Sequence, residues 1–282
     1  MVIRICKKHG KISDEFRSKV RRLCHDERPK GVWQPLMKKE ATSIHFELQD
    51  KHKSSFQKYK RLTIGEKGFF FFLKYETITA LFGNFPGASG YFLRNKFYRL
   101  LLKRAGKGVI WGRNVTLRHP HKIEIEDNVA INDFAVLDAY GGEQSGIRIG
   151  EGALISRNTV LNSKGGFIEI GKRTNLGMMS IIFSRDCTVR VGNDVLMSAY
   201  CYLMGGGSHS MDRTDIPITY QGAECRGIDI GDNVWFGSGV RVLDGCSIGR
   251  DSVIGTNSFV NSDIPEFAIA AGSPAQIVKM RK

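Results

Sequence analysis

From Ala105 to Asn261 large apolar residues return every six positions, in triplets, and a turn-forming residue commonly follows each. The first residues of the hexads read Ala105, Trp111, Leu117; Ile125, Ile131, Leu137; Ile149, Ile155, Leu161; Ile170, Leu176, Ile182; Val191, Met197, Leu203; Ile230, Phe236, Val242; Ile248, Ile254, Val260. Seventeen of these twenty-one are Ile, Leu or Val, so the positions read as a continuous core. The next residue is often Gly, Asn, Asp or Ser, as in Gly112, Asn132, Gly171 and Gly237. Such residues tolerate the left-handed backbone that a sharp corner demands.

A period of six is neither the 3.6 of a helix nor the 2 of an isolated strand. It predicts three-sided coils, each side a short strand with one large residue pointing inward and a turn at each corner. Between triplets the spacings are 8, 12, 9, 9, 27 and 6, so every insertion falls at the same corner. A β-sandwich has no reason to keep insertions in phase with the triplets. At about 4.8 Å per stacked coil, seven coils predict a column roughly 34 Å long.

The chain therefore divides into a basic arm at 1–60, an aromatic and amphipathic helical region at 61–104, the solenoid at 105–264, and a C-terminal tail at 265–282. Wound as a helix, residues 91–104 place Asn95, Lys96, Arg99 and Lys103 on one arc and Leu93, Phe97, Tyr98 and Leu100 to Leu102 on most of the rest. That helix has two readings: a plug over the open end of the column, or a peripheral contact of residues 88–104 with a membrane surface.

Charge divides the chain at the same place. Residues 1–104 hold 24 Lys and Arg against 9 Asp and Glu, whereas residues 105–282 hold 18 against 19. The first third is the expected contact with something anionic. No nucleic-acid motif accompanies its basic runs, so specific nucleic-acid binding is not expected. Cys6, His9, Cys24 and His25 offer a weak zinc spacing, since neighbours such as Cys24 and His25 seldom turn onto one ion; an arm with incidental thiols is the simpler account. Six cysteines without disulfide-like spacing, and no apolar leader at the N-terminus, predict a cytoplasmic protein, with the inner face of the membrane left open.

The tract Ile228-Asp-Ile-Gly-Asp-Asn-Val-Trp-Phe-Gly237, then Val242-Leu-Asp-Gly-Cys-Ser-Ile-Gly249, then Ser252-Val-Ile-Gly-Thr-Asn-Ser-Phe-Val260 and Ala271-Gly-Ser-Pro-Ala275, resembles the C-terminal signature of hexapeptide-repeat acyltransferases. The resemblance covers roughly residues 80–282 and is nearest to O-acetyltransferases of the maltose, galactoside and surface-polysaccharide type. It implies an all-β, left-handed parallel β-helix of about seven triangular coils, with the basic, mainly helical region before it. It also implies a homotrimer, acetyl-CoA as acyl donor, no metal, and a saccharide or lipid-linked saccharide as acceptor.

The loop 204–227, too polar and too rich in Gly to be core, carries His209, the one histidine of the last 160 residues. In the family a histidine at this point is the general base, and the resemblance carries that role to His209. Neutral imidazole suits the task, because a sugar hydroxyl is a poor nucleophile until its proton is taken. Asp212 is a candidate to orient it. Ser238 and Thr256 align with family positions beside the pantetheine arm of the acyl-CoA, and Trp235 with a tryptophan near the loop; Lys279, Arg281 and Lys282 are candidate phosphate contacts, although Gln276 stands where relatives often carry a Lys, and the N–H groups of Gly237 or Ser238 are candidate oxyanion donors. His119 and His121 are expected to solvate a corner of the first coil. Two other readings stay open: N-acetylation of an amino sugar or xenobiotic, and a non-catalytic module that docks a membrane or partner.

Overall fold

The computed structural model describes residue 48 and residues 50–218 and 221–282. The arm's Cys6, His9, Cys24 and His25 lie outside the described residues. The hexad register holds throughout. Strands carrying the first, second and third residue of each triplet stack into three parallel sheets, here faces A, B and C, and the chain visits them in that order, coil after coil. In-register pairs join Ile149, Ile170 and Val191 on face A, Ile155, Leu176 and Met197 on face B, and Leu161, Ile182 and Leu203 on face C. The result is the expected left-handed parallel β-helix of seven coils. Every hexad residue except Ala105 is at most 2% exposed. The strands are two to five residues long, so stability comes from the aliphatic ladder between coils and not from any single strand.

The corners depart from expectation in one respect. The residue after the inward aliphatic is not the left-handed one; that conformation falls two positions later, at Asn128, Arg173, Asp194 and Asn233 between faces A and B, and at Phe134, Met179 and Tyr200 between B and C. The glycine directly after the aliphatic is needed for closeness. A Cβ on Gly171 would lie 2.4 Å from the Gly192 carbonyl carbon, one coil on. Successive corners stack too tightly there for any side chain.

Among the described residues three helices precede the column: α1 (Ser55–Ile64), α2 (Phe69–Phe82) and α3 (Gly87–Tyr98). Ser54 caps α1 in a capping box with Gln57, which fixes where that helix begins. All three close the first coil: Ile64, Phe72, Tyr75, Ile78 and Tyr98 join one apolar cluster with Trp111 and Leu117. The Tyr75 hydroxyl donates to the Leu117 carbonyl at 2.8 Å, and Tyr98 meets the Trp111 indole edge-on at 5.2 Å.

The amphipathic helix expected through residue 104 stops at Tyr98, so Arg99 and Lys103 are not on its arc. Its buried face is Gly90, Arg94 and Tyr98. Arg94 can enter the core because its guanidinium donates to the carbonyls of Phe82, Phe85 and Trp111 at 2.7–3.3 Å, filling the seam between α2, α3 and the first coil. The same cap consumes His119 and His121, which do not solvate a corner. His119 is 2% exposed and its Nε2–H donates to the Arg61 carbonyl at 3.1 Å, while the His121 ring meets Phe71 edge-on.

Beyond residue 264 the chain still winds. The strand Ala268–Ala271 adds a rung to face B, pairing Ala270 with Ile254, and Gln276–Met280 folds back antiparallel on it. The segment read as a tail therefore caps face B.

The outer surfaces of the three faces differ. On face A the row Glu124, Arg148, Glu169, Arg190 and Asp229 alternates in sign, with ion-pair distances of 3.3–3.7 Å between neighbours. Face B instead presents Ile110, Leu154, Leu196 and Trp235 in one outward row. At the corner between B and C, Phe134, Met178, Met179 and Tyr200 are exposed.

Candidate active site

The long insertion leaves the column at the corner between faces C and A. Gly206 and Gly207 carry φ of 80° and 89°, and a Cβ on Gly206 would lie 2.2 Å from the Arg185 carbonyl oxygen, so the exit path admits only glycine there. Asp244, one coil on, ties the two ends of the insertion together. Its carboxylate accepts from the N–H groups of Gly206, Arg226 and Gly227 at 2.6–2.9 Å. Between those ends Ser208–His209 pairs antiparallel with Ala223–Glu224.

Gln221, buried, stitches the loop's tip: its amide donates to the carbonyls of Arg213 and Ile216 and accepts from the Arg213 N–H. Nothing in the spacing of the sequence marks Gln221. Its role depends on a fold-back of eight residues that only the loop's conformation creates.

His209 is half-buried at the root of this hairpin. Its Nε2 lies 3.2 Å from an Arg185 Nη1, and its Nδ1 lies 3.5 Å from the Gln221 carbonyl oxygen. A guanidinium has no acceptor, so Nε2 takes the hydrogen bond with its lone pair and Nδ1 bears the proton, directed at the carbonyl. The ring is thus held in the tautomer whose Nε2 can receive a proton. Asp212 does not take part; it accepts from the Ser210 hydroxyl at 3.0 Å.

Arg185 ends the face C strand Ile181–Arg185 and stands opposite Lys164 on the coil below. Both lie three residues past an inward aliphatic, Leu161 and Ile182. The hexad register therefore stacks them at the corner from which the loop departs, a signal present in the sequence once the corner is identified.

The other expected residues lie elsewhere on the chain. Trp235 points outward on face B, in a cross-strand row with Val253, Ile269 and Lys279. Gly237, Ser238 and Thr256 stack at the corner between B and C, where a Cβ on Gly237 would lie 2.6 Å from the Thr256 nitrogen. The Gly237 N–H is spent on the Ile254 carbonyl at 2.8 Å, so it is no oxyanion donor. The Ser238 N–H has no partner among the described residues. Arg281 is held by the Asp251 carbonyl at 2.7 Å. A single protomer thus brings Trp235, Gly237, Ser238, Thr256 and Lys279 to one side and leaves His209 at the corner between C and A. Among the described residues no group of three or more His, Cys, Asp or Glu side chains is placed to hold a metal ion.

Residues 227–262 match the family model described as bacterial transferase hexapeptide (six repeats). A probable acetyltransferase of Mycobacterium tuberculosis is 33% identical over 140 residues, half of this chain and 46% of its own length. WbbJ of Escherichia coli, described as a lipopolysaccharide biosynthesis O-acetyl transferase, is 37% identical over 98 residues, a third of this chain and 50% of its own length. The chain thus spans about half the length of these curated relatives. The crystal structure of the polySia-specific acetyltransferase NeuO superposes with a TM-score of 0.53 at 26% identity, covering 63% of this chain and 84% of NeuO.

Proposed function

We propose that this chain, which carries the hexapeptide repeat of bacterial transferases, is an acyltransferase that moves an acetyl group from acetyl-CoA to a saccharide hydroxyl, with His209 as general base. The observation that carries this reading is the imidazole on the inserted hairpin, fixed with Nδ1–H toward the Gln221 carbonyl and with the Nε2 lone pair, the proton acceptor, toward the Arg185 guanidinium. The repeat's relatives named for acetyl transfer supply the reaction class, and WbbJ and NeuO supply the saccharide.

In the proposed step the acceptor oxygen attacks the thioester carbonyl carbon as its proton passes to Nε2. The C–S bond then breaks and the departing sulfur takes the proton from the imidazolium, leaving ester and free thiol. A positioned base contributes about 10²- to 10⁴-fold to such a step. The Ser238 N–H is the oxyanion donor this reading retains, and Trp235, Thr256 and Lys279 are its acyl-CoA contacts.

These residues and His209 belong to different corners of one chain, so the reading requires a neighbouring copy to bring them together. The apolar outer row of face B and the exposed side chains at the corner between B and C support a homotrimer packed through those surfaces, with face A in water. A site shared between copies also explains why an exposed Trp235 is tolerated.

His209→Ala is expected to lower kcat by at least about 10² while acetyl-CoA affinity and thermal unfolding stay unchanged. Thiol release and mass analysis of the product, with sugar and amino-sugar acceptors in parallel, measure this; undiminished turnover removes His209 from the chemistry, and an amide product replaces the hydroxyl by an amine.

Peripheral membrane contact belongs to the same reading, but through a different surface from residues 88–104. Phe69, Phe70 and Leu73 of α2 are exposed, Phe70 at 86%, beside Lys74. No described helix is long and apolar enough to cross a membrane. Co-sedimentation with anionic vesicles, weakened several-fold by Phe70→Ser, is the expected result; equal recovery with and without vesicles ends the idea.

A further inference from the structure

Lys164 and Arg185 form an unusual pair. They sit directly opposite one another on adjacent coils, and like charges so placed repel. Water does little to relieve this, because the Arg185 side chain is only 13% exposed and Lys164 is half-buried. Burial pushes the Lys164 ammonium below its ordinary range, and the neighbouring guanidinium pushes it further.

The nearby carboxylates do not settle the charge. Asp186 approaches Arg185 only to 3.7 Å and is itself 65% exposed. Asp138 acts on Lys164 from a distance while it accepts from the Tyr140 N–H and lies 3.7 Å from His119. Asp244 is occupied by three loop N–H groups. Among the described residues the Lys164 ammonium makes no hydrogen bond or close ion pair. The guanidinium meanwhile donates to His209 Nε2. Two crowded cations therefore stand beside the base, and one of them occupies the lone pair that the base needs.

We propose that Lys164 and Arg185 form an oxyanion-binding subsite, and that the acceptor is an acidic saccharide carrying a carboxylate or phosphate near the reacting hydroxyl. This rests on the acyl-transfer reading and deepens it. A bound oxyanion bridges the ammonium and the guanidinium, offsets their repulsion, and draws the guanidinium away from Nε2. The base is then released only when an acceptor of the right charge is present. A neutral sugar leaves Arg185 on the imidazole and competes poorly. Lys164, Arg185 and His209 meet at one corner of adjacent coils, so charge and reacting hydroxyl lie close together on the acceptor. They belong to the same sugar ring or to adjacent ones.

The test begins with binding, which does not depend on turnover. Full-length protein is titrated with an oligosaccharide of glucuronic acid, its carboxyl-reduced counterpart, and glucose 1-phosphate. The acidic members are expected to bind at least about tenfold more tightly than the neutral one. Lys164→Met and Arg185→Met each erase most of that preference, and Arg185→Lys restores part of it. Whether carboxylate or phosphate gains more identifies the oxyanion.

In turnover with the acidic acceptor, Lys164→Met raises its KM about tenfold and leaves the KM for acetyl-CoA unchanged. Equal binding of charged and neutral members, or a preference that survives in the Lys164→Met, Arg185→Met double variant, overturns the proposal. Its failure is separable from that of the acyl-transfer reading. His209→Ala keeps the charge preference while losing turnover if both hold; a preference without acetyl transfer to any acceptor leaves the subsite standing and removes the reaction.

Discussion

Burial pushes the His121 imidazole down to about 4 from its ordinary 6.5, with the positive charges of Lys67, His119 and Lys122 adding to the effect. The consequence for stability has a definite sign. Between pH 6.5 and 4 the unfolded chain takes up a proton that the folded chain refuses, so the contribution is complete above 6.5, declines on acidification, and is lost by about 4. Denaturant titrations from pH 7 to 4 are expected to show this decline in the wild type and a flatter curve in His121→Phe; parallel curves refute the assignment. At this scale some chemistry was legible in the sequence and some was not. His209 stood out because it lies in a polar, Gly-rich insertion that no core pattern explains. Gln221 and Asp244 did not, because each is defined by its backbone partners, brought near by a loop's return or a coil's stacking. Gly237 was assigned a free N–H that the ladder in fact consumes.

The coil is the element that repeats, and its corners carry its tolerances. Gly171→Ala forces a Cβ to 2.4 Å from the next coil's backbone, and overpacking of that kind costs roughly 1–3 kcal/mol or more. Gly142→Ala, with nothing within 4 Å, is expected to stay within about 0.5 kcal/mol of the parent. Denaturation midpoints of the two variants measure the contrast, and similar losses in both contradict the close-stacking account. The hexads were readable because one inward aliphatic per side is a rule of sequence spacing. The helices were less so. Residues 91–104 have an amphipathic pattern, but tertiary contacts turn the chain after Tyr98 and admit Arg94 to the core by way of three carbonyls that belong to α2, its following turn and the first coil. A helical wheel carries no information about such acceptors, so it did not mark Arg94 as a core residue.

For the assembled column the outward faces decide what it can meet. Face A is an alternating charge ladder that water satisfies well, whereas face B and its corner with face C expose Leu196, Trp235, Met178 and Tyr200. Sedimentation is expected to give three chains per particle, and Leu196→Glu with Tyr200→Glu to dissociate them, while Arg148→Glu on face A leaves the assembly intact; a monomeric wild type refutes the shared site. Periodicity in the sequence determined the winding, the number of coils, the corner that bears the insertions and the loop that bears the imidazole, because each of these depends only on distances along the chain. Tertiary structure alone decided that the histidines of the first coil serve the cap, that the last residues add a rung to face B, and that the loop's fold brings His209 onto Arg185. Those facts arise from contacts between residues on different turns of the column, whose partners, burial and unspent charges exist only once the coils are stacked.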